Sequence, residues 1–152
     1  LLEAAGFADA ISFGGTKNGL LFGEAVIIRT PELAKNLKYL RKQLMQLPSK
    51  QRFLSSQFLA LFSHDSSEAP LWREIGSHAH ACALRLAEGL SSVPEVQVTQ
   101  KVQANSVFAV FPRSWTQSLR EQNFFYIWNE KTWEARLMTS FDTSFEQIDQ
   151  FI

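Results

Sequence analysis

Apolar and polar positions change their period along the chain, and each change marks an element. Ala10-Ile11-Ser12-Phe13 reads as a short strand running into a glycine turn at Gly14-Gly15. Glu24-Ala25-Val26-Ile27-Ile28 follows as a second strand, apolar enough to predict burial on both faces. Thr30-Pro31-Glu32 supplies a helix start, with threonine as N-cap and proline in the first turn. Leu33, Leu37, Leu40 and Leu44 then recur at helical spacing until Pro48 breaks the run. A second helix takes in Phe53, Leu54, Phe58 and Leu61 and ends near His64-Asp65-Ser66-Ser67. A long helix is predicted from about Pro70 to Leu90, with Ile75, Ala79, Cys82 or Ala83, and Leu86 along one side.

After that helix the pattern shortens. Val96 and Val98 alternate, and Ser106-Val107-Phe108-Ala109-Val110-Phe111 is a strong strand ended by Pro112. A short helix over Trp115–Gln122 and strands over Phe124–Trp128 and Glu134–Thr139 come next. Ser144 caps a last helix, with the acid Glu146 in its first turn. The order predicts three parts: the end of an α/β sheet over residues 1–65, a linking helix over 66–90, and a small α+β unit over 91–152.

Composition narrows the class. Hydrophobic residues at 45% against 20% charged describe a folded chain, and 13 Phe with 4 Trp furnish a large core. Fifteen basic residues balance fifteen acidic ones, which argues against nucleic acid or an anionic membrane as partner. A local site for a small anion remains open. No apolar stretch reaches the ~20 residues of a membrane span, and no signal peptide is legible. The one cysteine, Cys82, lies in an alanine-rich run and reads as a small core residue in a reducing, cytoplasmic setting. The chain opens without Met and stops at Phe151-Ile152 inside an amphipathic run, so it reads as a fragment.

Three sets of residues offer chemistry. Lys17 follows a strand and a Gly-Gly turn and precedes Asn18-Gly19, where backbone bends sharply and approaches a ligand closely. An imine-forming lysine must spend time as the neutral amine, and the apolar strand before it and Leu20-Leu21-Phe22 after it predict partial burial. Locally, an exposed turn lysine is an equal reading; the spacing fits neither a P-loop nor a dinucleotide fingerprint. Arg136 is a lone arginine in an apolar strand, which needs either an acidic partner, Glu134 or Asp142, or a ligand carboxylate. Lys35, Lys38, Arg41, Lys42, Lys50 and Arg52 form a basic run that by itself reads as a solvated face. His78 and His80, two apart on a helix, point to different faces and chelate no common metal. With His64 they read as packing or interface residues, and no metal site is expected.

Asp9-Ala10-Ile11-Ser12-Phe13-Gly14-Gly15-Thr16-Lys17-Asn18-Gly19 resembles the cofactor-lysine segment of the low-specificity L-threonine aldolases, in the β-eliminating lyase superfamily. The likeness continues through Gly23-Glu24-Ala25-Val26-Ile27, Leu40-Arg41-Lys42-Gln43 and Ser49-Lys50-Gln51-Arg52-Phe53-Leu54. It extends to Gln103-Ala104-Asn105-Ser106-Val107-Phe108, Phe124-Phe125-Tyr126-Ile127-Trp128 and Arg136-Leu137-Met138-Thr139-Ser140-Phe141-Asp142-Thr143. It covers nearly the whole chain, in order, and corresponds to the family's C-terminal half.

The resemblance implies the C-terminal half of an aspartate aminotransferase-like fold that binds pyridoxal 5'-phosphate. It implies retro-aldol cleavage of L-threonine, L-allo-threonine and related β-hydroxy-α-amino acids to glycine and an aldehyde. Lys17 becomes the catalytic, cofactor-bearing lysine, with Thr16 beside it as a cofactor residue. Lys50 first, and Arg52 second, become the cation that reaches the cofactor phosphate of a neighbouring subunit, although Leu47-Pro48-Ser49 replaces the family's glycine run before them. Arg136 becomes the residue that grips the substrate carboxylate. Where many members have Thr-His after that arginine, this chain has Thr139-Ser140, so a histidine role there does not transfer. A homo-oligomer, dimer or tetramer, is implied for the full-length protein, and the 152-residue piece is expected not to turn over. The alternatives are a β-eliminating lyase of the same superfamily and a non-catalytic binding or assembly module of the same fold.

Overall fold

The computed structural model describes residues 5–63 and 69–152, so the predicted helix end at His64–Ser67 lies outside the described residues. The chain divides into two compact units, residues 1–72 and 73–152.

In the first unit, β1 (Ala10–Gly14) and β2 (Glu24–Ile28) form an antiparallel ribbon with Ser12 opposite Val26 and Phe13 opposite Ala25. Three helices follow: α1 (Pro31–Ala34), α2 (Leu37–Gln43) and α3 (Gln51–Phe62). Phe13 packs on Phe58 and Phe62 of α3, with ring centroids 6.3 and 5.5 Å apart. The two-faced burial predicted for β2 is not found, since Val26 is 61% and Ile27 43% exposed. A two-stranded ribbon lacks the flanking strands and second layer that such an apolar strand requires.

The single helix predicted up to Pro48 is two. It breaks at Asn36, a weak helix former that leaves helical geometry (ψ 8°) and whose carbonyl restarts the ladder by accepting from the Tyr39 and Leu40 amides. It ends well before Pro48. Met45 turns left-handed (φ 55°), while the Gln46 amide donates to the Arg41 carbonyl at 2.9 Å. Thr30 sits at the N-cap of α1 but makes no cap bond, because its hydroxyl donates to the Asp9 carboxylate instead.

The second unit carries most of α4 (Leu71–Ser91), then β3 (Gln97–Val98), β4 (Ser106–Val110), α5 (Thr116–Gln122), β5 (Tyr126–Asn129), β6 (Glu134–Met138) and α6 (Phe145–Phe151). The sheet order is β3-β4-β6-β5, every pair antiparallel. Cys82, Ala83, Leu86 and Leu90 of α4 and Ile148 of α6 meet Val107, Ala109, Ala135 and Leu137 of the sheet in one core. Period 3.6 on the helix and period 2 on the strands thus bring the same apolar sets together. Cys82 is buried as expected, its thiol donates to the Thr143 carbonyl at 3.3 Å, and burial pushes its pKa up. Ser144 caps α6 in a full capping box with Gln147. Glu146 sits in the first turn, and its carboxyl is held below the ordinary range by its own backbone amide and the Ser144 hydroxyl. No helix among the described residues is long and apolar enough to cross a membrane.

Candidate functional site

Each unit carries its own share of the predicted chemistry. In the first, the chain leaves β1 at Gly14, makes a 3-10 turn over Thr16–Asn18 and returns to β2 through Gly23. Gly15 is buried, and a Cβ there would stand 2.5 Å from the Gly23 carbonyl and 3.0 Å from the Phe58 ring. Gly23 has φ 147°, which side-chain-bearing residues rarely adopt. The two glycines therefore let both ends of the loop close against α3. Thr16 ties the ends: its amide donates to the Gly23 carbonyl and its hydroxyl accepts from the Gly23 amide, both at 3.1 Å. The Asn18 side-chain amide donates to the Gly14 carbonyl at 2.7 Å. From α3, the Gln57 carbonyl oxygen accepts from the Leu21 amide at 2.9 Å.

Lys17 stands on this pinned loop. It is exposed, and among the described residues it forms no ion pair. The burial expected from its neighbours is not provided: Leu21 is 90% exposed and Phe22 also faces outward. Their amides are turned toward Gln57, which sends the side chains away from the loop interior. Gln57 was not legible as a site residue, because a glutamine in the middle of an amphipathic helix carries no local signal of its distant backbone partners.

Lys50 and Arg52 flank the first residue of that same helix. Lys50 is the N-cap of α3, and Arg52 lies with its guanidinium carbon 4.8 Å over the Phe53 ring. Both are exposed, as are Lys35, Lys38, Arg41 and Lys42. Lys50 precedes Gln57 by seven residues, about 10 Å along the helix axis. One helix thus bears the candidate phosphate cations and pins the lysine loop.

In the second unit Arg136 lies on β6 between the buried Ala135 and Leu137, so it projects from the sheet face opposite the core. The structural ion pair with Glu134 or Asp142 is not formed; among the described residues the ion pair present is Arg85–Asp149, at 2.7 Å. Glu134 instead accepts from the Thr99 hydroxyl at 2.5 Å. The Arg136 Nε is buried without a hydrogen-bond partner among the described residues. Its guanidinium carbon lies 5.2 Å over the ring of Trp128, an aromatic neighbour that the strand pattern of β5 contains but does not single out.

The described histidines point apart, as their spacing requires. His78 Nε2 meets the Thr143 carbonyl at 2.7 Å and His80 Nδ1 the Ala104 carbonyl at 2.9 Å, while His64 lies outside the described residues. Thr139 is buried and donates its hydroxyl to the Ala79 carbonyl at 2.6 Å, a structural use.

No family model matches the chain. It is 35% identical over 140 residues to a low-specificity L-threonine aldolase of Pseudomonas aeruginosa, covering 92% of this chain and 39% of that protein. A low-specificity L-threonine aldolase of another Pseudomonas is also 35% identical, over 89% of this chain and 38% of its own length. The fold superposes on a solved threonine aldolase of Leishmania major with a TM-score of 0.81 and 28% identity, covering 98% of this chain and 43% of that one. The chain is therefore similar in sequence and in fold to a part of these threonine aldolases, and it spans about two-fifths of their length.

Proposed function

We propose, with this similarity to threonine aldolases as the premise, that the full-length protein is a pyridoxal-phosphate-dependent aldehyde-lyase. Its substrates would be L-threonine, L-allo-threonine and related β-hydroxy-α-amino acids, cleaved to glycine and an aldehyde. The observation that carries the reading is the state of Lys17 and Arg136: an exposed amine on a pinned glycine loop, and a half-buried guanidinium that, among the described residues, has an orphaned Nε and no acidic partner. A module without this chemistry has no use for both.

The residues present suit the cofactor. Gly15 and Gly23 keep the loop narrow, the Thr16 hydroxyl holds it shut, and the Lys17 amine is left to tether the cofactor. Lys50 and Arg52, which form no ion pair among the described residues, offer positive charge for a phosphate, in a neighbouring subunit of a dimer or tetramer. When bound, the cofactor supplies the electron sink for the pair released from the Cα–Cβ bond. Arg136 grips the substrate carboxylate through its N–H fork and thereby fixes the direction of that bond, an orientation effect worth several kcal/mol in general. The base for the β-hydroxyl proton is assigned to the remainder of the full-length protein. The division into the end of the cofactor domain (1–65), a linking helix (66–90) and a small domain (91–152) goes with this reading. So does a cytoplasmic setting, which the buried free thiol of Cys82 supports.

Full-length protein incubated with L-threonine should release glycine and acetaldehyde. Arg136→Lys should raise KM for threonine by about tenfold or more, since lysine cannot present the bidentate fork. The 152-residue chain alone should not turn over. Ammonia and keto acid from serine would instead identify a β-eliminating lyase. A protein that takes up no cofactor would identify an assembly module.

A further inference from the structure

The sheet face that bears Arg136 contains a second feature with a purpose of its own. β5 pairs Ile127 with Ala135 and Asn129 with Glu134, so Trp128 is the extra residue of a β-bulge. Bulges interrupt the ladder and re-aim a side chain. Here the re-aimed side chain is a tryptophan left 58% exposed, with its ring 5.2 Å beneath the Arg136 guanidinium. Phe108, directly opposite Arg136 on β4, meets the Trp128 ring edge-on at 5.7 Å and 72°. Phe108 thus packs, from the other strand that flanks β6, against the ring that lies by Arg136.

All five guanidinium N–H bonds lie in its plane, so a ring against one flat face restrains the group without consuming a donor. An acidic partner would restrain it too, but would occupy the fork. We propose that Trp128 is the positioning residue of the carboxylate site: the cation–π contact holds the Arg136 guanidinium over the ring, its Nε unpaired among the described residues, and Phe108 braces the ring. This rests on the reading of Arg136 as the carboxylate grip and adds how that grip is kept ready. The conformational freedom of a long side chain is then lost before the ligand arrives, which favours binding.

The probe is acetate, titrated into the chain at neutral pH while the Arg136 Nε–H resonance is followed in protein carrying 15N-labelled arginine. Wild type should show that resonance displaced by the indole ring current and shifting with acetate. Trp128→Phe should keep both the displacement and the affinity within about twofold, because a ring remains. Trp128→Leu should lose the displacement and bind acetate about two- to fivefold more weakly, the range expected for an exposed cation–π contact. Circular dichroism of both variants should match wild type, since the side chain lies on the exposed face. Unchanged acetate affinity in Trp128→Leu, with the acetate response still on Arg136, overturns the positioning role alone. An Arg136 Nε–H resonance that does not respond to acetate in wild type overturns the carboxylate reading itself.

Discussion

Gly15 controls the Lys17 loop through space rather than through flexibility. Its Cα lies so close to the Gly23 backbone that an added methyl group would overlap the Gly23 carbonyl oxygen, which cannot move without opening β1 from β2. Gly15→Ala should therefore destabilise the fold by about 1–3 kcal/mol, the usual cost of overpacking, read as a lower urea midpoint. The glycine turn that carries Lys17 was legible from Gly14-Gly15 and Asn18-Gly19, while the role given to Lys17 came from the family resemblance alone. Its environment was not: adjacent apolar residues predicted burial, yet Leu21 and Phe22 point away because Gln57 takes their amides. Arg136 shows the opposite case. A lone cation in an apolar strand called for a counter-charge, and neither Glu134 nor Asp142 supplies it. The stacking ring of Trp128 depends on a bulge that no local pattern reveals.

Elements whose apolar residues meet a core within their own unit were read correctly. α4, β4, β6 and α6 all fall close to their predicted bounds, since Leu86, Val107, Leu137 and Ile148 complete one another. Elements without such a core were read less well. The leucine run from Leu33 to Leu44 suggested one helix, but with those side chains largely exposed the weak propensity of Asn36 decides the matter. The end of α2 carries a testable strain. Met45 adopts φ 55° with an exposed side chain, so Met45→Gly should stabilise the protein by about 1 kcal/mol, the general cost of a left-handed residue with a Cβ, visible as a higher Tm. Between α4 and α6, Arg85 clasps Asp149 bidentately, both contacts at 2.7 Å, and this holds the Asp149 carboxyl below the ordinary range. A depressed folded pKa means stability that is present above the unfolded value and lost as pH falls through the folded one. Urea midpoints should accordingly fall below the ordinary carboxylate range, and fall less in Asp149→Asn.

For the whole molecule, the contrast between the two units is informative. The second has a closed core, while the first exposes Leu21, Phe22, Val26, Leu40, Leu44 and Phe53. An apolar surface of that kind calls for cover, and the relatives are more than twice as long as this chain. The central claim, that Lys17 is the cofactor lysine, is tested most directly by reducing the pyridoxal-phosphate-loaded full-length protein with borohydride and mapping the labelled peptide by mass spectrometry. The account predicts one pyridoxyl group, on Lys17, and none there or elsewhere in Lys17→Ala. A label spread over other lysines, or one unchanged in Lys17→Ala, would contradict it.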